Sequence, residues 1–172
     1  DNWVLKRFGD TKKKRIIITS EIEHHAILNS CKALRDDFND IIYLKVDNTG
    51  IVRKDQLIDE LKKYKNSDAQ ILVSVMMANN EIGTIEPIKE LAEITHQYGG
   101  YFHTDAVQAV GHINIDVKEL DVDFLSASSH KFNGPKGVGF LYVKKNSPIS
   151  SFIDGGAQEN NFRAGTENVA CI

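Results

Sequence analysis

Cysteine is scarce in this 172-residue chain, with Cys31 and Cys171 the whole complement. The two stand far apart and match no metal-ligand spacing, so neither a zinc site nor a disulfide framework is expected, and a reducing compartment is the better guess. No apolar run approaches the length that crosses a bilayer, and the first residues do not read as a signal peptide. A soluble cytoplasmic protein is therefore expected. Charge of one sign is also lacking. A net charge of -3 gives no bulk electrostatic reason to expect nucleic acid or an anionic membrane as partner. No internal repeat, low-complexity tract or linker divides the sequence.

What is present is ordinary globular composition, 41% hydrophobic and 26% charged, in a length that suits one domain with a sizeable core. The basic run Lys12-Lys13-Lys14-Arg15 reads as a solvated loop guarding the sticky strand candidate Ile16-Ile17-Ile18. Strand-like and helix-like segments alternate. Arg15 to Thr19 reads as a buried strand, and His24 to Phe38 has helical spacing through Ile27, Ser30, Cys31, Leu34 and Phe38. Ile41 to Val46 is a strand candidate, and Asp55 to Tyr64 repeats the helical pattern. Ile71 to Met76 is an apolar strand. Pro87 suits a first helical turn, and Gly99-Gly100 closes the helix that it opens. Tyr101 to Thr104, Phe124 to Ser126 and Val138 to Val143 complete the strands, the last one free to pair differently. Such alternation predicts an α/β domain with a mostly parallel sheet. Asp1 to Phe8 reads as the tail of a helix, and the chain is expected to be a piece of a longer enzyme.

In such a sheet, ligands bind where the chain leaves the carboxyl ends of strands. Three polar groups sit there: Ala78-Asn79-Asn80-Glu81-Ile82-Gly83-Thr84, then Asp105-Ala106-Val107-Gln108, then Ser128-Ser129-His130-Lys131 followed by Gly134-Pro135-Lys136-Gly137. A lysine near a buried polar site is desolvated into a nucleophilic amine. An aspartate ending a buried strand is costly unless it meets a positive partner, and a pyridinium nitrogen is one. Ser128 and His130 offer phosphate donors, and Asn80 and Gln108 offer neutral amides. Lysine, aspartate and phosphate donors on successive strand ends are what pyridoxal phosphate needs. Their order, with 26 positions from Asp105 to Lys131, is a stronger signal than either motif alone.

The runs "ANNEIGT", "HTDAVQAVG", "SASSHKFNGPKGVGFLYV" and "RAGTENV" resemble the class V aminotransferase superfamily and, within it, the NifS/IscS-type cysteine desulfurases. The resemblance implies a three-layer α/β sandwich with a mostly parallel central sheet, the large domain of a pyridoxal-phosphate transferase. Residues 1–172 would form that domain incompletely, with an N-terminal part and a C-terminal small domain missing. It implies that Lys131 is the Schiff-base lysine and that Asp105 holds the pyridine nitrogen. By the same likeness Gln108 lies near the ring hydroxyl oxygen, and Asn80 lies close to that oxygen and the substrate. His24 matches a histidine that stacks on the ring and shuttles protons. Ser128 and His130 match phosphate ligands. Thr166 matches a threonine reaching the phosphate of a neighbouring subunit's cofactor, which implies a homodimer.

The implied reaction takes sulfur from L-cysteine, leaves L-alanine, and passes the sulfur as an enzyme persulfide to iron–sulfur scaffold proteins or tRNA thiolation enzymes. The family's nucleophilic cysteine is expected beyond the last residue here. Cys31 reads as a buried structural thiol, and Cys171 sits where no family nucleophile is expected. An early phosphate-binding segment and the substrate-carboxylate arginine also fall outside this stretch.

Simpler readings stand beside these. Lys131 could sit on a surface turn and Asp105 could cap a helix, but each is outweighed by the other's presence. His24 could merely open its helix, and Asn80 serves equally as a turn residue. Arg163 either holds a loop or pairs with a carboxylate. His103 reads as a packed strand histidine, and His25, His96 and His112 as residues without convergent partners, so no metal site is expected. Gly134 and Gly137 read as devices of a tight turn. Rival functions are a selenocysteine lyase, a transaminase or an epimerase of the same fold, and a non-catalytic module that keeps the fold alone.

Overall fold

The computed structural model describes residues 1–36 and 38–172. Six strands form one sheet in the spatial order β2-β1-β3-β4-β5-β6. They are β1 (Arg15–Ser20), β2 (Asn39–Leu44), β3 (Gln70–Ser74), β4 (Tyr101–Asp105), β5 (Phe124–Ser128) and β6 (Gly139–Val143). The first five run parallel, and β6 pairs antiparallel with β5, from Phe124 opposite Val143 to Ser128 opposite Gly139. The helices are α1 (Asn2–Arg7), α2 (His25–Leu34), α3 (Lys54–Tyr64), α4 (Ile88–Gln97) and α5 (Val117–Leu120).

Helices cover both faces, and the strand sequences show why. Side chains alternate between faces along a strand, so a sheet buried on both sides needs apolar residues in succession. Ile16 and Ile18 enter one core with Leu57 and Leu61 of α3 and Leu91 of α4. Ile17 enters the other with Val4 and Leu5 of α1 and Ile27 and Cys31 of α2. Ile71 and Val73 join the first core, and Leu72 joins the second. The expected three layers are present.

Several boundaries differ from the sequence reading. The helix expected over His24 to Phe38 ends at Leu34, and its stretch at residue 37 lies outside the described residues. Phe38 is 54% exposed instead of lining the apolar face, because the chain has left the helix and turned into β2. Val46 lies beyond β2 in an isolated bridge to Val52. Pro87 stands just before the helical residues of α4 as its N-cap. The glycine stop is as expected: Gly99 takes a φ of +75°, and the Gly100 amide donates to the Thr95 carbonyl at 3.1 Å.

Two partly or fully buried acids brace the loops. The Glu86 carboxylate accepts the Val52 amide at 3.0 Å, and burial pushes its carboxyl up to about 7. Asp123 accepts the Phe102 amide at 2.8 Å and also takes a hydrogen bond from His96 at 2.8 Å. His96 was expected to lack partners; α4 brings it to Asp123 and within 3.3 Å of Asp121. The bond to Asp123 holds the His96 imidazole above its ordinary value of 6.5.

A raised histidine contributes stability that is fully present below its unfolded value, near 6.5, and lost as pH climbs through the higher folded value. Replacing His96 with Gln is expected to lower the urea midpoint more at pH 6 than at pH 9. Equal losses at both pH values would show that the charged pair contributes nothing.

Candidate functional site

β1, β3, β4 and β5 are successive neighbours in the sheet, so the segments leaving their carboxyl ends lie side by side along one edge. These are residues 21–24 after β1, 75–80 after β3, 106–108 after β4 and 129–131 after β5. His24, Asn80, Asp105, Gln108, Ser128, His130 and Lys131 all fall on that edge. Thr166 does not. It stands on an exposed loop beyond the bridge between Ile153 and Arg163, in a segment tied to α1 by the Trp3 hydrogen bond to the Ser150 carbonyl.

Asp105 is the last residue of β4 and is 4% exposed. One carboxylate oxygen accepts the Val107 amide at 2.9 Å, which is a single bond for a group with room for several. Its backbone is held more firmly: its carbonyl accepts the Met77 amide at 2.8 Å, and the next amide, of Ala106, donates to Ser126 at 2.9 Å. Burial raises the carboxyl above its ordinary range, while the Val107 amide, then the terminal ammonium of Asp1, then the nearby His24 imidazole pull it down. No lysine or arginine pairs with Asp105 among the described residues. A buried carboxylate in that state is suited to a cationic ligand.

Beneath Asp105, two residues back on β4, His103 is fully buried between Ser74 and Ser126, at 2.8 Å from one hydroxyl and 2.9 Å from the other. Burial pushes its imidazole well below 6.5, so it is a neutral hydrogen-bonding strut across three strands. The expectation of a packed strand histidine agrees with this.

Lys131 closes a single 3₁₀ turn, Ser129–Lys131, directly after β5. It is exposed, whereas the sequence reading expected a desolvated amine, because the turn stands on the rim of the sheet. Its backbone is nevertheless fixed. His112 Nε2 donates to the Lys131 carbonyl at 3.0 Å, so the loop after β4 grips the loop after β5. His112, like His96, thus has a partner that its sequence context did not reveal. Buried Ser129 places its hydroxyl between the carbonyls of Pro135 and Val138, at 3.0 Å from the latter. Gly134 packs so closely that an added Cβ would come within 2.8 Å of the Ser129 Cβ, and Gly137 turns with a φ of +79°. Ser128 and His130 form a pair, hydroxyl to Nδ1 at 2.8 Å, half-buried and exposed respectively.

His24 caps α2: its Nδ1 accepts the Ala26 amide at 3.2 Å, which leaves the ring proton on Nε2. The ring is exposed, so the helix-opening role and a free Nε2 coexist. Asn80 is exposed on its turn, and Gln108 is half-buried. Cys31 is buried, and burial pushes its thiol up to about 12, as suits a structural thiol. Arg163 donates to the Ala164 carbonyl at 3.3 Å, a local loop contact.

The sequence reading passed over two residues that organise this edge. Asn79 donates to the Ile22 carbonyl at 2.8 Å and accepts the amides of Glu81 at 2.8 Å and Ile82 at 3.1 Å, locking the loop after β1 to the loop after β3. Glu23 is buried, and burial pushes its carboxyl up to about 8. Glu21, not Glu23, directly follows the buried strand and is exposed, so local sequence does not single out Glu23. Nothing local separates Asn79 from its neighbour Asn80.

That contrast is measurable. Asn79→Ala should cost about 1–3 kcal/mol in denaturant unfolding, since the buried Asn79 side chain satisfies three backbone groups of two loops at once, and Asn80→Ala should stay within about 0.5 kcal/mol. The reverse order of costs would mean that the turn is not held as described.

The aminotransferase class-V profile matches residues 2–172. The cysteine desulfurase IscS of Methanosarcina thermophila is 52% identical over 174 aligned positions, spanning all of this chain and 42% of that protein. The IscS of Dictyoglomus turgidum is 56% identical, again over all of this chain and 43% of its own length. Among solved structures, a NifS-like protein superposes with a TM-score of 0.87 at 43% identity, covering 99% of this chain and 46% of that one. SspA in complex with cysteine gives 0.84 at 36% identity, covering 92% and 45%. The chain thus spans under half the length of these relatives. With its profile matched end to end and its sheet superposing on theirs, the chain belongs to the aminotransferase class-V family.

Proposed function

We propose that residues 1–172 form the cofactor-binding large domain of a pyridoxal-phosphate-dependent cysteine desulfurase. The observation that carries this is Asp105: a buried carboxylate with no lysine or arginine paired to it among the described residues, one strand away from the turn of Lys131. A protonated ring nitrogen would satisfy that carboxylate, and the donor set around it fits the rest of the cofactor. Lys131 would supply the amine that anchors it. Ser128 and His130 would donate to its phosphate, and Gln108 and Asn80 would turn their amides toward its ring oxygen and the substrate.

Bound there, pyridoxal phosphate supplies an electron sink for the charge left when a substrate loses its Cα proton. This chain's own part is positioning and proton handling. Asp105 would hold the ring nitrogen and favour its protonated form. His24, exposed at the start of α2, would carry protons through its ring once Nδ1 lets go of the helix cap, its Nε2 proton meanwhile serving as a donor. The close relatives named cysteine desulfurase, and the neighbour solved with cysteine, support L-cysteine as substrate and L-alanine as product.

The sulfur-accepting cysteine is neither residue available here. Cys31 is buried with its thiol raised, and Cys171 follows the exposed loop of Thr166. Thr166, remote from the sheet-edge group, suits the phosphate of a second subunit's cofactor, and hence a homodimer. Iron–sulfur scaffold proteins or tRNA thiolation enzymes would receive the sulfur in the cytoplasm. No helix among the described residues is long and apolar enough to cross a membrane.

The test uses the full-length protein that carries this chain. After pyridoxal phosphate is added, borohydride reduction and peptide mass mapping should place the cofactor on Lys131. Cysteine should then yield alanine, and Asp105→Ala should cut turnover by about a hundredfold or more. Cofactor trapped on another lysine, or a native rate in the Asp105 variant, would sink the assignment.

A further inference from the structure

One buried carboxyl governs where His24 stands. Glu23 is 4% exposed, and its Oε1 accepts two hydrogen bonds, from the Ser20 hydroxyl at 2.6 Å and the Met76 amide at 2.9 Å. The first donor ends β1 and the second follows β3, so a single oxygen ties two neighbouring strand ends together. One residue earlier, the Ile22 carbonyl is held by Asn79 at 2.8 Å. His24 is the next residue along, the N-cap of α2, close enough to act on the Asp105 carboxyl. The other carboxyl oxygen of Glu23, Oε2, is buried without a hydrogen-bond partner among the described residues.

We infer that Glu23 is a positioning residue, whose carboxyl pins the turn at 21–24 to the end of β3 and thereby sets where the His24 imidazole stands relative to Asp105. The inference rests on the cofactor-site reading above. The charge environment suits the role. Among the described residues, the titratable groups around Glu23 include Asp105 at the end of β4, Glu86 in the segment after β3, Cys31 on α2 and His24 beside it. Burial first, then the charges of Asp105 and Glu86, push the Glu23 carboxyl up to about 8, against the pull of its two hydrogen bonds. That direction favours the uncharged acid at neutral pH, with Oε2, the oxygen that accepts no bond, the one left to carry the proton. Glu23 can then brace the site without competing with Asp105 for a bound cation.

A double-mutant cycle on the full-length holoenzyme tests this. Glu23→Leu is expected to keep the cofactor on Lys131 while lowering kcat by about tenfold or more, as His24→Ala does. The double variant should be no worse than the weaker single by more than about threefold, because Glu23 acts through His24. Glu23→Gln keeps an acceptor oxygen and no charge. It should recover most of the loss and leave the pH profile of kcat where the native enzyme has it. Losses that multiply in the double variant, or a displaced profile in Glu23→Gln, would overturn the inference alone. A native protein that binds no cofactor would overturn it together with the function above. Should Glu23→Leu fail to fold, Ser20→Ala removes one of the two donors, and the same cycle with His24→Ala decides.

Discussion

The removal of one carboxylate from water, with no lysine or arginine paired to it among the described residues, sets the terms for the whole strand-end edge. Asp105 ends a strand that is buried on both faces, so its backbone cannot move outward to rehydrate the side chain. The Val107 amide compensates only part of the lost solvation. Such an arrangement stabilises a cation brought to it far more than a solvated aspartate would, because water no longer screens the pair. The cost falls on the fold and is met by two apolar cores that cover the sheet.

The groups around Asp105 are mostly neutral, and that follows from the same burial. His103 is held uncharged between two serine hydroxyls, Asn79 and Ser129 work through dipoles, and Glu23 is pushed toward its acid form. Further ionised side chains would either repel Asp105 or neutralise it. The edge thus concentrates one negative charge in a framework of hydrogen bonds, with Lys131 and His24 on the open side. The framework also joins segments far apart in sequence: His112 to Lys131, Asn79 to Ile22, Met76 to Glu23.

Much of the fold was legible. The uninterrupted apolar runs at residues 16–18 and 71–73 carry the signature of strands covered on both faces, and the glycine pair at 99–100 marks a helix end by backbone geometry alone. The antiparallel last strand was left open, and the β5–β6 pairing resolves it. Phe38 was misplaced because a helical period can continue in a sequence after the backbone has left the helix. His96 and His112 were taken as solitary because their partners lie 27 and 19 residues away, beyond the reach of any local pattern. The exposure of Lys131 could not be read either, since it depends on the rim position of a three-residue turn.

The sequence by itself determined the chemistry available and its order: a histidine, an amide, an aspartate, a second amide and a lysine, each placed at or just after a strand end, because strand and turn propensities are local properties of the chain. Only the tertiary structure decided which of those strand ends are neighbours. Inserting β1 between β2 and β3 sets Glu23 and His24 against the end of β3, although β2 is nearer in sequence. Strand order arises from hydrogen bonds and packing between distant segments, and no residue in the turn at 21–24 encodes it alone. Of two adjacent asparagines, that same packing made Asn79 the latch and left Asn80 exposed.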